Sequence, residues 1–132
     1  MYVERITRVD FTTGQADGPD GNARTEGYSA SIAGKILAVH IDYGDNPPAP
    51  TTRFRLCDDH DPARETIVDL DHQDENVKLY PRRPLQAFHG KFLTDQDGHH
   101  LYGHYIHHGR LAATLTHANP GDFAIVTVWI ES

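Results

Sequence analysis

The sequence predicts an all-β fold, an antiparallel β-sandwich or jelly roll of about eight strands. Short segments alternate apolar and polar residues at a period of two, as half-buried strands do. Turn-forming residues separate these segments, with 11 Gly and 8 Pro among 132 residues. No segment shows the sustained i, i+3, i+4, i+7 apolar spacing of an amphipathic helix. The length predicts a single β-sandwich domain spanning residues 1–132.

The N-terminal third predicts strands on either side of a long polar stretch. Residues 2–12 form the first strand, and residues 28–33 and 35–43 form the next two. Between them, residues 14–27 contain four glycines and almost no apolar side chain. We therefore expect residues 14–27 to be a flexible, exposed loop or arm.

The middle of the chain predicts short extended segments between polar turns. GDNPPAP at 44–50 ends a strand, because proline lacks the donor that a strand ladder needs. The segments that follow are strands at 52–57 and 65–71, an extended stretch at 78–84, residues 85–93 as either a strand or a short helix, a tight turn at 95–98, and the histidine-rich run 99–108.

The C-terminal segment predicts a β-hairpin. Two apolar runs, 110–117 and 123–131, flank the turn-forming residues ANPGD at 118–122. In the first run Leu111 and Leu115 share one face, with polar residues opposite. The second run is largely apolar on both faces, which predicts a central strand or one covered on both sides.

Charge and cysteine content narrow the range of partners. The formal net charge is −7, from 19 acidic and 12 basic residues, and there are 10 histidines. This charge disfavours direct nucleic-acid binding and favours a basic partner surface. The single cysteine, Cys57, excludes an intrachain disulfide. No secretory signal and no membrane-spanning run are present, so we expect cytoplasmic folding and no membrane partner.

The run HHLYGHYIHH at 99–108 is the most distinctive local feature. On one continuous strand His100, His104 and His108 would share a face, and imidazoles bind Zn²⁺, Cu²⁺ or Ni²⁺. Successive members would lie about 13 Å apart at ~3.3 Å per residue. One chain would therefore need a turn at Gly103 to close a site, unless three chains each donated one histidine.

An exposed or interfacial histidine face is the favoured interpretation of this run, with no bound metal or cofactor. The candidates for an oligomer interface are His99, His100, Tyr102, His104 and Tyr105.

No catalytic constellation is evident. DDHD at 58–61 has oxygen ligands suited to Ca²⁺ or Mg²⁺, but it lacks the glycine and distal glutamate of an EF-hand loop. Cys57 has no identifiable base. The sequence contains no nucleophile elbow, P-loop, dinucleotide-binding glycine pattern or HExxH motif. We therefore expect a protein that is not an enzyme.

Three segments resemble small proteins that tailed bacteriophages encode near the major capsid gene. These segments are KILAVHIDYGDNPPAPTTRFRL, YPRRPLQ and GRLAATLTHANPGDFAIVTVWIE. Some proteins of that group are capsid decoration or cement proteins, jelly rolls that often sit as trimers at threefold positions of the capsid. The resemblance implies a homotrimeric virion structural protein that binds the major capsid protein and stabilises the shell.

Residues 14–27 and the histidine run do not match the pattern of that group, so we expect the specificity of this protein to lie there. The N-terminal strand and residues 14–27 are the expected capsid contacts. The candidates are Val3, Arg5, Gln15, Asp17, Asn22 and Arg24.

Two other functions stay open at this point. A β-sandwich module that binds carbohydrate or another ligand would use Tyr102, Tyr105 and Trp129 as stacking platforms. A cupin-like metal enzyme would combine the histidine cluster with a distant ligand. The candidates for that ligand are His40, His89 and His117.

Overall fold

The computed structural model describes residues 5–59, 64–87 and 90–132. Within these ranges the chain is all-β and antiparallel, with eleven strands and no helix. The strands are β1 (Ile6–Thr12), β2 (Ala23–Tyr28), β3 (Ile32–Asp42), β4 (Arg53–Asp58), β5 (Thr66–Leu70), β6 (Val77–Leu79), β7 (Arg83–Pro84), β8 (Tyr102–Gly103), β9 (Ile106–Gly109), β10 (Leu111–Ala118) and β11 (Ile125–Glu131). The count exceeds the predicted eight because β6 to β9 have only 3, 2, 2 and 4 residues, too few for an alternating pattern.

Five strands form the first sheet. The order is β1, β11, β3 and β6, and β9 also pairs with β3. β11 lies between β1 and β3, so Val126 aligns with Phe11 on one side and Ile41 on the other. The prediction of an interior position for this strand is confirmed, since a strand with two apolar faces avoids water best there.

Four strands form the second sheet, in the order β2, β10, β4 and β5. β10 alternates as the sequence predicts. Leu111 and Leu115 are fully buried in the core, while Thr114 and Thr116 on the opposite face are half-buried. The outer face of this sheet is therefore polar.

The predicted C-terminal hairpin is wrong, because β10 and β11 belong to different sheets. The segment between them crosses from one sheet to the other. The Asp122 carboxylate fixes this crossing by accepting hydrogen bonds from the backbone N–H groups of Asn119 (2.7 Å) and Ala49 (3.1 Å). Gly121 supports it with a φ of +88°, a conformation that glycine adopts readily.

Both sheets contribute to one hydrophobic core. Its fully buried members from the first sheet include Ile36, Val39, Ile41, Val126 and Val128, and those from the second include Phe54, Leu56, Leu111, Ala113 and Leu115. The sheets meet closely where β1 approaches β2. A Cβ atom added to Gly27 would lie 2.2 Å from the carbonyl oxygen of Thr12, so only glycine fits there.

The stretch 14–27 is not a loop throughout, because its last five residues belong to β2. The polar composition conceals this strand. Its outward positions carry Arg24 and Glu26, and its inward positions carry Ala23, Thr25 and Gly27, of which Ala23 and Gly27 are buried. A strand that contributes such small side chains to the core has little apolar signal in its sequence.

Two further segments differ from the sequence prediction. Of the residues described in 85–93, none is helical, and Gln86 forms an isolated antiparallel bridge with Phe92. The run 99–108 is divided, because β8 pairs with β7 whereas β9 pairs with β3. Within the described ranges, no helix has the length and apolar character required to cross a membrane.

Candidate functional site

The candidate site is an extension between β6 and β9, which we define as residues 83–103, described at 83–87 and 90–103. Backbone hydrogen bonds among three leucines connect distant parts of the extension. Leu85 donates to the carbonyl of Leu101 (2.7 Å), Leu93 donates to Leu85 (2.8 Å), and Leu101 donates to Leu93 (2.9 Å). None of its described residues belongs to the hydrophobic core. The extension is thus held in shape largely by backbone hydrogen bonds.

The extension and the nearby Ile106 carry most of the exposed large apolar side chains of the described residues. Every described residue from 90 to 102 is exposed. Nine large apolar side chains are exposed in the described chain, and six of them lie between residues 85 and 106. These six are Leu85, Phe92, Leu93, Leu101, Tyr102 and Ile106. Such a concentration of apolar surface is typical of an interaction site.

Three of the predicted interface residues lie on this extension. The His100 ring stacks on the Phe92 ring, with centroids 4.9 Å apart and an interplanar angle of 25°. His99 is exposed, and Tyr102 has 60% of its surface exposed. The structure therefore places His100 against an exposed apolar ring and leaves His99 and Tyr102 accessible to a partner.

The other two predicted interface residues lie at the base of the extension. His104 and Tyr105 are half-buried. Tyr105 packs against the hydrophobic core, and its backbone carbonyl accepts a hydrogen bond of 2.9 Å from the N–H of Ile36. Burial raises the pKa of the Tyr105 phenol. Tyr105 thus anchors the extension to the first sheet.

The structure does not bring His100, His104 and His108 together as a metal site within one chain. Their ligand atoms form no group within 4.8 Å, and the break between β8 and β9 separates His108 from the extension. His40 and His117 join no such group among the described residues either, and His89 lies outside them. A site with one histidine from each of three chains stays a prediction.

The described residues contain one group with metal-ligand proximity, the exposed Asp95, Asp97 and His99. One oxygen of the Asp95 carboxylate already accepts hydrogen bonds from the backbone N–H groups of Asp97 (2.9 Å) and His99 (3.0 Å). This is the geometry of an aspartate that caps a turn.

The predicted capsid contacts fall on two parts of the molecule. Arg5 precedes β1, Gln15, Asp17 and Asn22 lie between β1 and β2, and Arg24 is the second residue of β2. All of those described are exposed, namely Arg5, Gln15, Asp17, Asn22 and Arg24. Val3 lies outside the described residues. The proposed contact surface is therefore accessible, and its partner stays a prediction.

The acidic turn after β4 is only partly described, because His60 and Asp61 lie outside the described residues. Asp59 binds the Arg110 guanidinium through Nε at 2.8 Å and also through a terminal nitrogen. The Asp59 carboxylate is therefore already paired with an arginine of the same chain.

The aromatic residues considered for ligand stacking do not form one platform. Trp129 is half-buried on β11 and is covered by the Lys78 ammonium, 4.4 Å from the ring centroid. Tyr102 lies on the extension, and Tyr105 packs against the core. Each ring therefore has a different environment, and Trp129 already has a cation partner.

Sequence reasoning missed two features. His107 is 4% exposed, and its Nε2 atom has no hydrogen-bond partner in the described chain, although 99–108 was expected to be an exposed face. Four arginines from three separate segments also line one pocket on the second sheet. Only the alternation of Arg53 and Arg55 hinted at this grouping.

No protein-family model, curated protein or solved structure matches the chain.

Proposed function

We propose that this protein is a non-enzymatic structural protein of a tailed-bacteriophage virion, a decoration or cement protein that binds the major capsid protein and stabilises the shell. It acts as a homotrimer on the capsid surface and assembles in the host cytoplasm. The second sheet and the first sheet share one core, which supports the finer assignment of a β-sandwich of the jelly-roll kind.

The exposed apolar side chains of the extension, and of Ile106 just after it, carry this proposal. Ile106 has 75% of its surface exposed and Tyr102 has 60%, yet neither belongs to the hydrophobic core. Leaving large apolar side chains in water forgoes about 1.5–3 kcal/mol for each one that could be buried. A second copy of the chain that covers this surface would recover part of that energy. The extension together with Ile106 is therefore the proposed trimer contact.

The proposed capsid contact lies at the turn before β2 and at Arg5. Its polar and charged side chains are suited to many modest contacts instead of one tight site. Because a trimer presents three such surfaces to a symmetric lattice, weak contacts combine by avidity. Strong binding to a capsid is thus compatible with weak binding to a single capsid subunit.

The direct test is to add the purified protein to phage capsids that lack it. We expect saturable binding, detected by co-sedimentation, and a higher melting temperature of the shell in calorimetry. Absence of both effects would refute the capsid function.

The proposed trimer contact is tested by native mass spectrometry of the wild-type protein and two variants. We expect the wild type at three times 14.8 kDa. Ile106→Ser should shift the protein to monomer, because Ile106 lies on the proposed contact. Ile6→Ser is the matched control, since Ile6 is 57% exposed but lies on β1, away from the extension in sequence. A wild-type monomer, or a trimer that Ile106→Ser leaves intact, would refute this interface.

A further inference from the structure

The outer face of the second sheet carries a pocket of about 510 Å³ that we call the arginine pocket. It is lined by Arg24, Glu26, Arg53, Arg55, Cys57, Arg64, Thr114, Thr116 and His117. The lining holds four guanidinium groups and one carboxylate, although the whole chain has a net charge of −7. The local charge is therefore opposite to that of the protein as a whole.

Strand register brings these side chains together. Thr114 of β10 aligns with Glu26 on one neighbouring strand and with Arg55 on the other. Thr116 aligns with Arg53, two residues along the same strand as Arg55. Residues two apart on a strand share a face, so Arg53 and Arg55 stand side by side with the threonines.

The carboxylates near the pocket do not fully neutralise its arginines. Asp69 accepts two hydrogen bonds from Arg53, at 2.9 and 2.7 Å. The same carboxylate lies 3.8 Å from Nε of Arg55, and this Nε is buried without a hydrogen-bond partner in the described chain. The Asp69 carboxylate thus lies near two guanidinium groups but forms hydrogen bonds with only one of them.

The carboxylates nearest the remaining two arginines also have a second partner. Arg64 lies 3.9 Å from Asp59, which is already bound by Arg110. Arg24 lies 3.3 Å from Glu26, whose other oxygen accepts a hydrogen bond of 2.7 Å from a tyrosine hydroxyl. Positive charge therefore stays in excess on this face.

We propose that the arginine pocket binds a phosphate group, either as the free ion or as a small monoester. Guanidinium groups present a planar fork of donors that matches phosphate oxygens. A dianion supplies the charge that the neighbouring carboxylates lack. The hydroxyls of Thr114 and Thr116 add donors on the floor of the pocket. The volume is within the usual range for small-molecule sites and leaves room for the organic part of an ester.

The proposal is tested by isothermal titration calorimetry of the full chain with sodium phosphate at constant ionic strength, set by chloride. O-Phosphoserine and malonate are titrated in parallel. We expect phosphate and phosphoserine to bind and malonate to bind more weakly. If phosphoserine binds more tightly than phosphate, the ligand is an ester, whereas the reverse order assigns the free ion. No heat from either phosphate compound, or tighter binding of malonate, would overturn the proposal.

Two variants with opposite expected effects locate the site. Arg55→Gln should weaken phosphate binding about tenfold, since a charge-assisted hydrogen bond contributes about 1.5–3 kcal/mol. Asp69→Asn should tighten binding, because it removes the carboxylate that Arg53 and Arg55 share. Arg8→Gln is the control, since Arg8 lies on β1 and does not line the pocket. Equal affinities for all of these folded variants would overturn the proposal, and circular dichroism confirms that each is folded.

Discussion

Arg53 and Asp69 form a bidentate ion pair between neighbouring strands of the second sheet. Nε donates to one carboxylate oxygen at 2.9 Å and a terminal nitrogen donates to the other at 2.7 Å. These side chains are 39% and 35% exposed. The hydrogen bonds from Arg53 lower the pKa of the Asp69 carboxyl below 3.8. The pair therefore links β4 to β5 outside the core.

This pair should make a pH-dependent contribution to stability. Because the folded-state pKa of Asp69 is lowered, its contribution is fully present above the unfolded pKa and is lost as pH falls through the folded value. Asp69→Asn should lower the free energy of unfolding by about 0.5–1 kcal/mol at pH 7. Urea denaturation as a function of pH should show this difference closing well below pH 3.8.

The control for the Asp69 variant is Asp45→Asn, because Asp45 is an exposed turn residue. Its variant should differ from the wild type by the same small amount at every pH. A loss for Asp69→Asn that does not change with pH would contradict the role assigned to the ion pair.

The core joining the two sheets should be sensitive to a cavity at Leu115. Leu115 aligns with Phe54 on the neighbouring strand, and both side chains are 0% exposed. Leu115→Ala should reduce the free energy of unfolding by about 2–5 kcal/mol. Thr116→Ala, on the other face of the same strand, should change it by less than about 0.5 kcal/mol. Similar values from chemical denaturation of the two variants would contradict the observed facing of β10.

The sequence predicted an all-β fold and the buried face of β10, because alternation records which side chains avoid water. Leu111 and Leu115 are examples. It mispredicted the partner of β11, because a turn such as 118–122 marks a change of direction without fixing which strand is next to it. The interior position of β11 was predictable only because both of its faces are apolar.

The candidate surfaces were less predictable. The histidine run directed attention to residues 99–102, but alternation could not reveal the break after Gly103 that places β8 and β9 in different sheets. The arginine pocket depends on the register of β10 against β2 and β4. Strand register arises from long-range pairing, which the spacing within a single segment does not encode.

The close approach of β1 and β2 should make Gly27 irreplaceable. A Cβ at this position would meet backbone atoms of residues 12 and 13, the nearest at 2.2 Å. Gly27→Ala should therefore cost at least about 2 kcal/mol, since backbone atoms cannot rotate away. Thermal unfolding measures the loss. Gly14→Ala is the control, because the nearest atom there is a threonine hydroxyl at 3.1 Å, which can turn aside. Equal melting temperatures for the two variants would contradict the close contact.

The Tyr43 hydroxyl should reduce stability at alkaline pH. Tyr43 is 2% exposed, and its hydroxyl oxygen is buried without a hydrogen-bond partner in the described chain. Burial, and to a smaller extent the negative charge of Asp74, raises the pKa of the phenol. A raised folded-state pKa means that stability is intact below the unfolded value of about 10 and is lost as pH rises above it.

Tyr43→Phe should therefore equal the wild type at pH 7 or exceed it by about 1 kcal/mol, because no hydrogen bond is lost and an unsatisfied polar group is removed. Its advantage should increase above pH 10, where unfolding of the wild type releases a proton from the phenol. Tyr80→Phe is the matched control, since Tyr80 is 62% exposed, and it should follow the wild type across this range. Guanidinium denaturation at pH 7 and pH 11 makes the comparison. A clear loss of stability for Tyr43→Phe at pH 7 would mean that its hydroxyl is bound to an ordered water that stabilises the fold.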